Sequence, residues 1–253
     1  MLLAIIDTEG IVTKETKYGD SSRILTVISR ELGKISILAG SVRRGKSGLL
    51  TATAMFSHSR FTLFKGGSSS LYKLNEGELL HSFSPLRESL EEMAFASYFC
   101  DVTNCIIQEE APDPPQTDLL LRTLYMLTRP DEDFEKIKAV FEFRSLTIAG
   151  LFPNLRQCGG CGRVDGLHYL SPTEGCIYCA ECAASHADTI QITDSMLAAI
   201  SYIALAEDKK EFSFTMQPTA TKYLSEIGER CVEQLLEKSF KTLSYLRRVT
   251  SLG

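Results

Sequence analysis

Along the first eighty residues apolar and polar side chains tend to alternate, and beyond them the apolar positions recur at helical spacing. Segments 3–15, 23–29, 34–39, 52–64 and 70–80 are rich in Ile, Val, Leu, Thr, Phe and Tyr, which predicts five strands. Turn signals separate them at Tyr18-Gly19-Asp20-Ser21, Glu31-Leu32-Gly33, Gly40 to Gly48, and Gly66-Gly67-Ser68. Alternation is clearest where Lys34, Ser36 and Leu38 interleave with Ile35 and Ile37, and again at Arg60-Phe61-Thr62-Leu63. Five short strands suit a small closed barrel, for which the OB-fold is the common solution; SH3-like barrels have similar strand counts.

From Ser84 the period changes. Ser84-Pro85 reads as a helix start, a capping hydroxyl followed by proline at the first helical position. Leu86, Leu90, Met93, Ala94 and Ser97 then recur at helical spacing until Pro112-Asp113-Pro114-Pro115. Further helices are predicted near 117–128, 132–151, 194–206 and 219–248. The fold class expected is therefore α+β, with a barrel domain at 1–80 and a mostly helical domain at 81–253.

The 253 residues are 44% hydrophobic and 23% charged, too apolar for a disordered chain. No apolar run approaches the ~20 residues of a membrane helix, and the opening Leu2 to Ile6 is short for a signal peptide. A cytoplasmic, nucleoid-associated protein with reduced thiols is expected. The net charge of −5 hides a split: residues 1–80 hold 11 Lys/Arg against 7 Asp/Glu, and the remainder is acidic. Between residues 30 and 65, Arg30, Lys34, Arg43, Arg44, Lys46, Arg60 and Lys65 face only Glu31. Such a patch reads either as a solvated surface or as a phosphate-tracking face whose binding is salt-sensitive. On the second reading Lys34, Arg43, Arg44, Lys46, Arg60 and Lys65 line a groove that tracks phosphates, and Tyr18, Phe61 and Tyr72 are candidate stacking faces unless the barrel buries them.

Cys158-Gly159-Gly160-Cys161 and Cys179-Ala180-Glu181-Cys182 form a C-x2-C…C-x2-C pattern with 17 residues between the pairs. That is zinc-ribbon spacing, because two thiolates three positions apart on a tight turn reach one tetrahedral ion. A ribbon inserted at 156–184 with one structural Zn2+ is expected, its ligands being Cys158, Cys161, Cys179 and Cys182. Cys176/Cys179 is also a C-x2-C pair, and His168 and His186 flank the cluster as substitute ligands. Cys100, Cys105 and Cys231 read as buried thiols.

Gly40-Ser41-Val42-Arg43-Arg44-Gly45-Lys46-Ser47 matches a phosphate loop literally. The interval before the strand-like segment at 60–64 is too short for a βαβ unit of ~30 residues. A nucleotide hydrolase at Gly40–Ser47 is thus the enzyme alternative, and a protein-docking scaffold built on the ribbon is the third class.

Tyr18-Gly19-Asp20-Ser21-Ser22-Arg23-Ile24, Leu32-Gly33-Lys34-Ile35-Ser36, Ala39-Gly40-Ser41-Val42-Arg43-Arg44 with Ser47, the four-cysteine insertion and Lys241-Thr242-Leu243-Ser244-Tyr245-Leu246 occur in this order. In this arrangement, which covers essentially the whole chain, the sequence resembles the bacterial RecO family of DNA repair and recombination mediators. The resemblance implies an N-terminal OB-fold, a helical C-terminal domain and, in many members, a zinc ribbon. It also implies binding of single- and double-stranded DNA, annealing, and cooperation with RecR and single-strand-binding protein to load RecA. Annealing needs no general acid, base or nucleophile, so no catalytic residues are expected and the chain is read as a non-enzyme. Lys238, Lys241 and Arg248, with Phe240, Leu243 and Leu246 nearby, are candidates for receiving the acidic tail of single-strand-binding protein; helix-end cations are the plain alternative.

Overall fold

The computed structural model describes residues 4–20, 22–40, 47–66, 70–152 and 155–251. Two compact units divide the chain, one of residues 1–130 with 241–253 and the other of residues 131–240.

In the first unit β1 (Ala4–Tyr18), β2 (Ser22–Ser29), β3 (Gly33–Ala39), β4 (His58–Lys65) and β5 (Leu71–His81) close into a barrel in the order β1-β2-β3-β5-β4. All neighbours are antiparallel except β3 and β5, which run parallel. This is the five-stranded OB barrel. Strict alternation in β3 buries Gly33, Ile35, Ile37 and Ala39 and leaves Lys34, Ser36 and Leu38 half-buried. The core packs Val12, Leu25, Val27, Ile35, Ile37, Phe61, Leu63 and Tyr72. A bulge between Val12 and Lys14 re-aims the outer half of β1.

The expected strand at 52–64 is corrected. Residues 47–52 form a short helix, α1 (Ser47–Ala52), and pairing begins only at His58. Thr53 continues the helical turn with its amide donating to the Leu49 carbonyl at 3.1 Å, so the chain cannot also be extended there. The expected helix start at Ser84 is also displaced. Ser84–Arg87 is an isolated 3-10 turn, and α2 (Leu90–Ile106) opens on Ser89, whose side chain accepts from the Glu92 amide. Asp113 caps α3 (Pro114–Leu127) in the same way through the Gln116 amide. The helix expected over 219–248 is two, α7 (Pro218–Leu235) and α8 (Lys241–Thr250). Glu237 takes the left-handed conformation, φ 49°, and ends the first of them. α8 buries Leu243 and Leu246 and packs on α2, where the Thr242 hydroxyl donates to Asp101 at 2.9 Å.

The second unit holds α4 (Phe134–Ile148), α6 (Asp194–Leu205) and α7. With them is a three-stranded sheet in the order β7-β6-β8, made of β6 (Leu167–Ser171), β7 (Cys176–Cys179) and β8 (Ile190–Gln191), with the short α5 (Ala180–Ala183) after β7. Between α4 and α7 the Lys138 ammonium is buried. It reaches Glu142 at 3.2 Å, Glu229 at 2.8 Å and the Ser225 hydroxyl at 2.8 Å. Among the described residues no helix is long and apolar enough to cross a membrane.

Candidate nucleic-acid interface and cysteine cluster

The cations expected at the interface occupy three different places. Lys34 stands at the start of β3, where its ammonium donates to the Asn104 carbonyl at 3.0 Å and lies 3.7 Å from Glu109. Residues 108–111 run beside it like a short extra strand, the Glu110 amide donating to the Lys34 carbonyl at 3.0 Å. Gly33 makes that approach possible. Its φ is +72°, and a Cβ there would meet the Ala111 carbonyl oxygen at 2.2 Å.

Lys65, at the end of β4, reaches the same segment. It donates to the Glu110 carboxylate and to the Tyr72 hydroxyl, which itself donates to Glu110 at 3.1 Å. The Lys65 hydrogen bond, then that of Tyr72, hold the Glu110 carboxyl below the usual carboxylate range. The same contacts raise Lys65. Arg60 lies mid-strand on the outer face, 2.7 Å from Glu9 and 3.2 Å from Glu78. Thr62 is opposite both Asp7 and Glu76, so four carboxylates share that face with one guanidinium. Arg30 pairs with Asp118 at 3.3 Å.

Arg43, Arg44 and Lys46 lie outside the described residues, as does most of the Gly40–Ser47 phosphate-loop match. The described flanks show that β3 leads in and a six-residue helix follows, and that β3 and β4 are not neighbours in the barrel. Pairing across three strands sets Lys17, Arg23 and Ala39 in one row, so Ala39, the last residue of β3, stands beside Arg23. Lys34 is five residues back along β3, roughly 17 Å at ~3.3 Å per residue. Phe61 and Tyr72 are buried, whereas Tyr18 is 52% exposed.

Of the tail-binding set, Lys241 and Arg248 are exposed on α8, while Lys238 lies in the break before it, its ammonium over the Phe240 ring. Phe240, Leu243 and Leu246 are buried.

The cysteines converge. The sulfurs of Cys158, Cys161, Cys179 and Cys182 all lie within 4.8 Å of one another, and Cys179 Sγ is 3.8 Å from both Cys158 Sγ and Cys161 Sγ. This set could hold a metal ion. Burial raises the Cys158 thiol, but amides of Cys179, Cys161 and Gly160 directed at its sulfur outweigh that and bring it down to about 6. Cys182 is pushed up to about 12, chiefly by hydrogen bonding to the Cys158, Cys161 and Cys179 sulfurs. A thiol inclined to ionise, with three more sulfurs within 4.8 Å, is the environment a cation would stabilise. Cys176 stands apart, 3.7 Å from a Glu174 oxygen. His186 stacks on Tyr178 and bonds Glu174, and His168 faces Asp194 at 3.6 Å. Cys100 and Cys231 are buried and Cys105 is partly so.

Two family models match the chain, Recombination protein O N terminal over residues 1–83 and Recombination protein O C terminal over residues 87–244. The chain belongs to the RecO family. A DNA repair protein RecO of Acetivibrio thermocellus is 32% identical to it over 243 residues, covering 96% of each chain. One of Alkaliphilus metalliredigens is 29% identical over 248 residues, 97% of this chain and all of the relative. One of Symbiobacterium thermophilum is 33% identical over 184 residues, 71% and 72% of the two chains. What the sequence missed at the family's barrel is the set of counter-charges: Glu109 and Glu110 neutralise Lys34 and Lys65 from more than forty residues away. It also passed over Lys14 and Lys17, exposed on β1 and without an ion pair among the described residues.

Proposed function

We propose that this RecO-family chain acts in DNA repair by binding DNA strands on its barrel and promoting the pairing of complementary ones. The observation that carries the reading is the closed five-stranded OB barrel in a family whose relatives are named DNA repair proteins. Such barrels bind oligonucleotides by tracking phosphates and stacking bases. Lys34, Arg60 and Lys65 are occupied by carboxylates. The phosphate contacts expected from the sequence are therefore assigned to Arg43, Arg44 and Lys46. Annealing on this reading requires charge screening and proximity, and no side chain acts as acid, base or nucleophile.

Cys158, Cys161, Cys179 and Cys182 would hold one structural Zn2+. With Zn–S bonds of ~2.3 Å the edge of a sulfur tetrahedron is ~3.8 Å, which is the Cys179 separation from both Cys158 and Cys161. Four thiolates fill the coordination sphere, so the ion stabilises the ribbon and offers no open position. RecR, RecA and the acidic tail of single-strand-binding protein are proposed partners, with Lys241 and Arg248 of α8 drawing the tail. A peptide titration that keeps full affinity after Lys241→Ala with Arg248→Ala would remove that contact.

The test of the function is annealing of two complementary oligonucleotides, one bearing a fluorophore and the other a quencher. Acceleration that fades with added salt is expected; a rate equal to that of the naked strands refutes it.

A further inference from the structure

We infer that residues 108–111 are an autoinhibitory latch, in which Glu109 and Glu110 occupy Lys34 and Lys65 in place of nucleic-acid phosphates and hold down the barrel's resting grip on a strand. The inference rests on the strand-binding reading above and adds to it a restraint on that binding. Lys34 on β3 and Lys65 on β4 come from strands that are not neighbours in the barrel, yet their ammonium groups meet consecutive residues of one segment. β3 pairs with β5 only through Ser36–Leu38, which leaves the backbone of Lys34 for that segment. The Glu110 amide donates to the Lys34 carbonyl at 3.0 Å, and the Lys34 amide donates to the Gln108 carbonyl at 3.4 Å.

The segment is fixed to the barrel through its backbone and loose at its carboxylates. Ile107, 1% exposed, roots it on one side, and Asp113, the cap of α3, roots it on the other. Ala111 lies against Gly33, where no side chain would fit. Glu110 takes φ 53°, uncommon for a residue with a side chain, and in that conformation its carboxylate accepts from Lys65 and from the Tyr72 hydroxyl. Such backbone outliers persist where the surroundings over-determine them, and they gather at clamps and switches. The Glu109 and Glu110 side chains nevertheless remain 62% and 46% exposed. Exposed ion pairs are weak and screened by salt, so a phosphate brought alongside can displace either carboxylate without moving the backbone. The restraint is therefore graded. A protein that pairs strands must also release the duplex, and a carboxylate competing for each ammonium keeps the grip reversible.

The experiment measures binding of a fluorescein-labelled oligothymidylate of about 16 nucleotides, the upper site size of one such barrel, by the full chain across a salt series. Each phosphate contact on a single strand contributes ~0.7 to the slope of log K against log salt. Glu109→Gln with Glu110→Gln frees two ammonium groups and should steepen the slope by ~1.4, a gain of roughly 25-fold at 0.1 M salt relative to 1 M. Either change alone should steepen it by ~0.7. Glu88→Gln with Glu91→Gln removes the same charge from exposed positions of the same unit and should leave the slope alone. Lys34→Gln with Lys65→Gln should leave the wild-type slope alone, yet cancel the steepening when combined with Glu109→Gln and Glu110→Gln. That cancellation separates a latch from a general loss of negative charge. Circular dichroism verifies that the variants fold, and if the paired glutamate change does not, the single changes carry the test with the same sign. A wild type that binds while Glu109→Gln with Glu110→Gln keeps its slope overturns this inference alone. So does a steepening that survives the loss of both lysines. Wild type and variant both without affinity overturn the strand-binding reading as well.

Discussion

Replacing Gly160 by alanine should disable the cysteine cluster while barely touching the rest of the ribbon. A Cβ at that position would stand 2.9 Å from Cys182 Sγ and 3.1 Å from Cys182 Cβ. Nonbonded atoms of this size sit at roughly 3.5 Å or more, so the Cys182 side chain must retreat by about 0.6 Å. Metal–ligand distances tolerate ~0.2 Å. The fourth sulfur is thus carried out of range, and affinity for Zn2+ should fall on the order of 100-fold, the upper end for perturbed metal sites. Gly162 supplies the control. It has φ +74°, and a Cβ added there would meet nothing within 4 Å, so Gly162→Ala carries only the backbone penalty of ~1–2 kcal/mol. Competition against a chromophoric chelator reads the affinity of both variants, and thermal unfolding reads their stability. Undiminished Zn2+ affinity in Gly160→Ala, or an equal loss in Gly162→Ala, would refute the assignment of Cys182 as a ligand.

Other consequences are as direct. Cys176→Ser should leave zinc stoichiometry at its wild-type value by atomic absorption, since Cys176 lies outside the converging set. Glu142→Gln with Glu229→Gln removes both carboxylate partners of the buried Lys138 ammonium and should cost about 3–5 kcal/mol in urea unfolding; a change under ~1 kcal/mol would mean that the ammonium is not confined there. Burial, opposed by Glu9 and Glu31 and aided by His81, holds the His58 imidazole below its ordinary 6.5. The unfolded chain therefore takes up the proton first: stability is full above 6.5 and declines as pH falls below it. His58→Phe should flatten the thermal midpoint between pH 7 and about 5.5, and an unchanged pH profile would place the decline elsewhere.

The barrel was legible because alternation in β3 and β4 reports directly which side chains face a core. The choice of Cys179/Cys182 over Cys176/Cys179 also has a strand-level reason. Residues three apart on β7 point to opposite faces, whereas Cys179 ends the strand and Cys182 turns back in α5. Less was legible where two periods abut. The α1 turn borrowed the β-like composition of 52–57, and the α7–α8 break at Glu237 interrupts no apolar pattern. The charge pattern misled most. A run of cations from residue 30 to 65 shows which side chains are positive, but not that Glu9, Glu78, Glu109, Glu110 and Asp118 fold back onto them. Such partners are set by strand register and by a segment far along the chain, which no local window contains.

On the proposed reading a few cations of an acidic chain hold single strands, so the affinity falls as salt rises. The most direct test is the wild-type affinity for an oligothymidylate as a function of salt. Three neutralised phosphates, at Arg43, Arg44 and Lys46, predict a straight line of log K against log salt with slope near −2. A slope near zero, or no binding at low salt, would contradict it.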